Sequence, residues 1–180
     1  SKAIEYGEVN ISKHAMVDLL LGNEKDDGHS LYYYKTFKPA LRQQLTKYLN
    51  NRGKLFVSGS YLASDMQGVD EQDWLKNNLK ITFDGANYDN YNSVVSGMGM
   101  SFDVYRTINE QHYGAYTPDY ILPVDNAFST LTYADGKTAA VAYKGTDNSV
   151  FTLSFPFECI KDAPTRNSIM KGIVNFLMKK

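Results

Sequence analysis

This 180-residue sequence predicts an α/β fold, a central sheet flanked by helices, and three features carry that prediction. Helix-period and strand-like segments alternate through the first half, two hairpin signals follow in the second, and an amphipathic helix closes the chain. The run at 15–21, stopped by Gly22, is short and almost continuously apolar, which suits either a helical turn or a buried strand. Residues 23–30 are polar and contain glycine, hence a loop. Residues 37–51 predict a helix, because Leu41, Leu45, Tyr48 and Leu49 recur at spacings of three and four and Arg52-Gly53 marks a stop. Residues 54–57 predict a strand, Ser58-Gly59-Ser60 a sharp elbow after it, and 61–66 a helical turn. Residues 70–79 predict a second helix anchored by Trp74 and Leu75, followed by a strand at 80–83.

The stretch 84–120 is rich in Gly, Asn, Ser and Tyr, with short β segments at 94–95 and 100–105. Asp135-Gly136 lies between strand-like runs at 129–133 and 138–143, and 145–148 separates the latter from a run at 150–155, giving two hairpins. Ala163-Pro164-Thr165 opens the last helix, with proline where a missing N–H costs nothing. Ile169, Ile173, Phe176 and Leu177 supply its apolar face.

Composition narrows the function. A net charge of −1 leaves no basic footprint for nucleic acid, and the Lys179-Lys180 tail suits the carbonyl end of a helix better than a ligand. No apolar run approaches the roughly 20 residues of a membrane span. The single cysteine, Cys159, excludes an internal disulfide framework and a cysteine-based zinc site. His14, His29 and His112 show no paired spacing, and the Asp/Asn-rich stretch at 84–89 has Ala86 where a calcium loop needs a ligand, so neither a metal nor another cofactor is expected. Fourteen tyrosines and many asparagines point to a secreted, periplasmic or cell-surface location.

The helix at 45–53 running into Lys54-Leu55-Phe56-Val57-Ser58-Gly59-Ser60 resembles the class I glutamine amidotransferase-like superfamily, and within it the C-terminal domains of secreted Bacteroides-type xanthan lyase-like proteins. The segments 15–22, 132–145 and 155–160, the last leading through Arg166 to the final helix, resemble it too. The resemblance implies a flavodoxin-like three-layer α/β/α sandwich with a β-hairpin-rich second half. It implies one domain over 1–180, with 15–21 as a buried strand. A further strand and helix would precede Ser1 in a longer protein. Amidotransferases of this superfamily place a cysteine at the elbow and draw a histidine and a glutamate from a Phe-His-Pro-Glu-like segment. Here Gly59 stands at the elbow, or Ser60 if the register slips by one. The late segment reads Phe155-Pro156-Phe157-Glu158, keeping the glutamate and replacing the histidine, and Cys159 follows the glutamate rather than occupying the elbow. The implied site is degenerate.

A serine hydrolase is the alternative. Ser60 or Ser58 would need a histidine base, itself oriented by a third group. His112 is the best-placed base, with Asp65 or Glu158 as orienter. Yet Val-Ser-Gly-Ser-Tyr is not the Gly-x-Ser-x-Gly of hydrolase elbows, so a structural turn is favoured. Glu158 and Arg166 are expected to pair across the final strand-to-helix connection. The tyrosines concentrate in loops, at Tyr32-Tyr33-Tyr34, Tyr88, Tyr91, Tyr105, Tyr113, Tyr116 and Tyr120. An apolar ring with a polar tip suits wet recognition surfaces, making Tyr88, Tyr91, Tyr113 and Tyr116 the ligand-binding candidates. The expected function is a non-catalytic accessory domain of a polysaccharide-handling bacterial protein, contacting neighbouring domains of the same polypeptide or a glycan. Self-association through an open sheet edge is a further option.

Overall fold

The computed structural model describes every residue from 2 to 179 except Asp27, Ser30, Tyr33, Asn90 and Glu110, so Tyr33 of the triple tyrosine and Lys180 of the basic tail lie outside the described residues. A short helix α1 (Lys2–Glu5) precedes strand β1 (Val17–Gly22), helix α2 (Pro39–Asn50) and strand β2 (Lys54–Gly59). After the elbow come α3 (Val69–Trp74) and a widened π turn at Leu75–Leu79. The strands β3 (Ile81–Ala86), β4 (Val94–Gly97), β5 (Met100–Asp103), β6 (Asp119–Pro123), β7 (Phe128–Tyr133), β8 (Thr138–Lys144) and β9 (Ser149–Leu153) follow, and α4 (Ala163–Met178) ends the chain.

Seven strands form one mixed sheet in the order β1-β2-β9-β8-β7-β4-β5, while β3 and β6 pair separately as an antiparallel ribbon. Only β1, β2 and β9 run parallel. The remaining neighbours are antiparallel. This corrects the expected flavodoxin-like three-layer sandwich: the molecule is mainly a mixed β-sheet with few helices. The reason is connection length. A parallel neighbour needs a crossover of a dozen or more residues, whereas a tight turn can join only antiparallel strands. Met98-Gly99, Ala134 to Lys137 and Gly145 to Asn148 are tight turns, so the second half builds hairpins where a doubly wound fold would place helices.

Side chains alternate across the sheet. On one face Leu19, Leu21, Leu55, Val57, Val141 and Val150 pack with Leu41, Leu45 and Leu49 of α2, with Leu75 and Leu79 of the π turn, and with Ile81 and Ile121 of the ribbon. On the other, Phe56, Phe151 and Leu153 pack with Ile169, Ile173 and Leu177 of α4 and with Phe102, Leu131 and Tyr133. Strands β2 and β9 therefore serve two cores at once. At the edge, β1 alternates buried and exposed, and its outward Leu20 is 52% exposed. No helix among the described residues is long and apolar enough to cross a membrane.

Candidate functional site

The elbow joins the ends of β1 and β2. The Ser60 N–H donates to the Gly22 carbonyl at 2.8 Å, and the Asp119 N–H donates to the Ser60 carbonyl at 2.8 Å. Gly59 is not in the left-handed region. It is glycine because a Cβ there would lie 3.0 Å from Leu62 and 3.2 Å from both the Gly22 carbonyl and Leu21. Close approach of two strand ends, rather than an unusual backbone angle, sets that residue.

Ser60 is fully buried, and its hydroxyl donates to Asn23 Oδ1 at 2.6 Å. Ser58 is buried too and accepts from the Phe157 N–H at 3.4 Å. No imidazole among the described residues hydrogen-bonds either serine. Asp65 is committed to the Asp26 and Thr36 N–H groups at 3.1 and 2.7 Å. Cys159 is buried, and desolvation pushes its thiol up to about 12, so it carries no thiolate at neutral pH.

His112 lies elsewhere, stacked on Tyr105 with ring centroids 3.6 Å apart and planes 11° from parallel. Asn109 fixes its tautomer. Asn109 Oδ1 accepts from the N–H groups of Gln111 and His112, so its amide nitrogen donates to His112 Nε2 at 2.8 Å. The neutral ring then carries its proton on Nδ1, which is buried and has no partner among the described residues. With Nε2 occupied and Nδ1 protonated, His112 offers no lone pair to a serine.

The four candidate tyrosines separate. Tyr88 lines a cavity of about 280 Å³ beside the elbow with Lys25, Tyr61, Asp65 and Phe83. Lys25 Nζ sits 4.6 Å above the Tyr61 ring there. Tyr91, fully exposed, lines a cavity of about 350 Å³ with Tyr105, His112 and Lys161. Tyr113 lines an adjoining cleft of about 600 Å³ that shares Tyr105, His112 and Lys161 and adds Glu158 and Arg166. Tyr116 is 40% exposed, and its carbonyl accepts from Arg106 at 3.2 Å. Of the candidates for catalysis and binding, the cleft thus gathers His112, Glu158 and Tyr113 and leaves Ser60 outside. Glu158 and Arg166 form no ion pair; Arg166 Nη1 donates instead to the Ile160 carbonyl. The Tyr113 hydroxyl accepts from the Asn23 N–H at 2.5 Å and is pushed to a higher pKa, chiefly by burial and further by Glu158. Burial, then Glu158, raises Asp18 as well.

Two residues that sequence reasoning missed hold these loops. Arg106 is 4% exposed and donates to the carbonyls of Ala115 at 2.9 Å, Asn87 at 3.0 Å, Tyr116 at 3.2 Å and Asn92 at 3.4 Å. Burial lowers its pKa. Asp119, fully buried, accepts from the N–H groups of Ala63 and Ser64 at 2.7 and 2.9 Å, pinning the turn after the elbow. Those bonds favour the carboxylate, but Oδ1 has no partner and desolvation prevails, pushing the group up to about 6. Neither residue sits in a sequence motif. Their only signal was a charge inside a stretch of turns. The stretch at 84–89 is strand before it is loop: 84–86 complete β3, where Asp84 pairs with Lys137 at 2.9 Å, and beyond it Asn87 Oδ1 accepts from the Asp89 N–H. Among the described residues no group of three or more His, Cys, Asp or Glu side chains is placed to hold a metal.

No protein-family model matches this chain, and no curated protein sequence does. Solved structures share its fold. The chain is similar to the β-galactosidase from Bacillus circulans sp. alkalophilus, at 13% identity and a TM-score of 0.60 over 93% of this chain and 23% of that one. It is similar to the β-galactosidase from the Antarctic haloarchaeon Halorubrum lacusprofundi, at 14% identity and 0.58 over 94% and 23%. It is also similar to a cytoplasmic protein from Salmonella typhimurium, at 12% identity and 0.59 over 94% and 74%. None of these three is named as an amidotransferase or a lyase. The chain spans about a quarter of the length of the two β-galactosidases, so what it shares with them is the fold of one domain.

Proposed function

We propose that this chain is a non-catalytic accessory domain of a larger carbohydrate-handling polypeptide. The observation that carries the non-catalytic part is Ser60, whose hydroxyl is buried and donated to Asn23 where a nucleophile would stand free. An activated serine needs a base within hydrogen-bond reach, and the elbow has none among its described neighbours. The carbohydrate part is supported by the likeness to domains that make up 23% of two β-galactosidase chains. We propose that such a polypeptide is secreted, periplasmic or at the cell surface, on the strength of its tyrosine- and asparagine-rich loops. Fractionation of cells making the tagged natural protein checks that, and recovery in the cytosol overturns it.

A fluorophosphonate probe tests the non-catalytic role. The expected result is no covalent labelling of the purified chain, and labelling that Ser60→Ala abolishes would establish the hydrolase instead. Turnover of nitrophenyl glycosides by the purified chain, above that of a heat-unfolded sample, would equally sink the proposal.

A further inference from the structure

We propose that the cleft lined by Tyr105, His112, Tyr113, Glu158, Lys161 and Arg166 binds a short neutral oligosaccharide. This deepens the carbohydrate role above and rests on it. Sugar rings are recognised by flat aromatic faces, which cover their C–H surfaces, together with planar polar groups that meet their hydroxyls. Both are present. The Tyr105–His112 stack is a well-held plate: the imidazole is fixed by ring contact at 3.6 Å and by the Asn109 amide on its Nε2, and the His112 backbone N–H donates to Asn109 Oδ1, so little ordering remains to be done on binding.

Several polar groups lining the cleft keep bonding capacity for a ligand. Glu158 makes no hydrogen bond or ion pair among the described residues, and neither does the side-chain amide of Gln111, which also lines the cleft. Arg166 engages only one nitrogen, with the Ile160 carbonyl. Lys161 is already engaged, paired with Asp103 at 3.9 Å and lying over the Tyr105 ring, 5.7 Å from its centroid. Tyr113 accepts from Asn23 and keeps its own proton to donate. Of the charged lining groups, Glu158 opposes Arg166 and Lys161 is paired with Asp103 outside the lining, so little net charge is left and hydroxyl-rich neutral ligands are favoured over sulfated or phosphorylated ones. The cleft, about 600 Å³ and continuous with the one of about 350 Å³ through shared residues, has the size of ordinary small-molecule sites.

Isothermal titration of the whole chain with β-1,4-linked galactotetraose and with cellotetraose tests the proposal. At least one should bind, and His112→Ala should weaken that binding about tenfold, the effect of one lost stacking contact. Glu158→Gln, which keeps the side chain's shape, and Arg166→Gln, which removes the guanidinium, should each weaken it about threefold or more. Unchanged circular dichroism separates these losses from unfolding. Binding that survives all three variants but is lost in Tyr61→Ala or Tyr88→Ala would overturn the cleft while leaving the carbohydrate role intact, at the elbow cavity. Failure of both sugars to bind at millimolar concentration would overturn the cleft outright. The accessory role then stands or falls on the labelling and turnover measurements alone.

Discussion

At Asp119 two local effects oppose each other, and burial wins. The folded state holds its proton up to about 6, whereas an exposed aspartate releases it near 3.8. Between those values the folded chain binds more protons than the unfolded one, so stability falls as pH rises through the window and levels off above it. The group's share of that loss is about 3 kcal/mol at most. Asp119→Asn, which keeps an acceptor for the Ala63 and Ser64 N–H groups, should lack this slope. In guanidinium titrations it should match the wild type near pH 4 and exceed it by roughly 2 kcal/mol at pH 7; equal pH slopes would refute the assignment. Ser60 offers a second check. Ser60→Ala removes the one donor that Asn23 Oδ1 has among the described residues and should destabilise the fold by about 1–3 kcal/mol in the same titration. A neutral result would mean that the hydroxyl is not committed as described.

Among the elements, α2, β2, β7, β8, β9 and α4 were legible because each carries its own signal: an apolar period, a Gly stop, an Asp-Gly turn or a proline at a helix start. Legibility failed where long-range contacts decide. The segment expected as one helix at 70–79 is α-helical only to Trp74. It then widens into a π turn that buries both Leu75 and Leu79 and ends at Lys80 with φ 60°. Strand β6 was missed because it pairs only with β3, more than thirty residues earlier. The loops on either side of the short β segments expected at 94–95 and 100–105 carried no signal of their own, yet Arg106 holds them by four backbone carbonyls. Arg106→Lys has one point of attachment in place of a planar fork. It should speed amide exchange across 87–92 and 113–116 and lower stability by about 2–4 kcal/mol, while exchange in α2 is unaffected until global unfolding. Gly114 makes the same loop tight from the other side, since a Cβ there would lie 2.4 Å from the Thr107 carbonyl carbon. Gly114→Ala should therefore open the Tyr105–Tyr113 loop, measurable as loss of the close Tyr105–His112 ring contact in NMR spectra.

At the scale of the whole molecule, the two cores are not independent, because adjacent residues of β2 and β9 point into opposite ones. Phe56 and Phe151 meet edge-on at 6.1 Å on the α4 side, while Leu55 and Val150 face α2. Unfolding should be a single cooperative transition. Phe151→Ala should cost about 3–5 kcal/mol and lower signals from both faces together. Separate transitions for the Trp74 fluorescence of the α2 side and for the far-ultraviolet signal would contradict this. Sequence signals pointed to an α/β fold because the first half alternates as such folds do. They could not fix the sheet's sense, since that depends on which strands neighbour one another, and β9 inserts between β2 and β8 from late in the chain. For the site, the sequence singled out His112, Tyr113 and Glu158 one at a time. That they share a cleft follows from the return of the chain through β9.

The grip of Arg106 has one more consequence. It holds only main-chain carbonyls, which every amino acid provides, and asks nothing of the side chains that its loops display. Tyr88, Tyr91 and Tyr116 stand on a frame that Arg106 holds without their side chains, whereas the Tyr113 hydroxyl is itself tied to the Asn23 N–H. Such an arrangement separates architecture from specificity, much as a fixed scaffold carries interchangeable loops. Libraries varied at Tyr88, Tyr91 and Tyr116 should retain the fold, which makes this surface suited to drift or to selection toward new ligands.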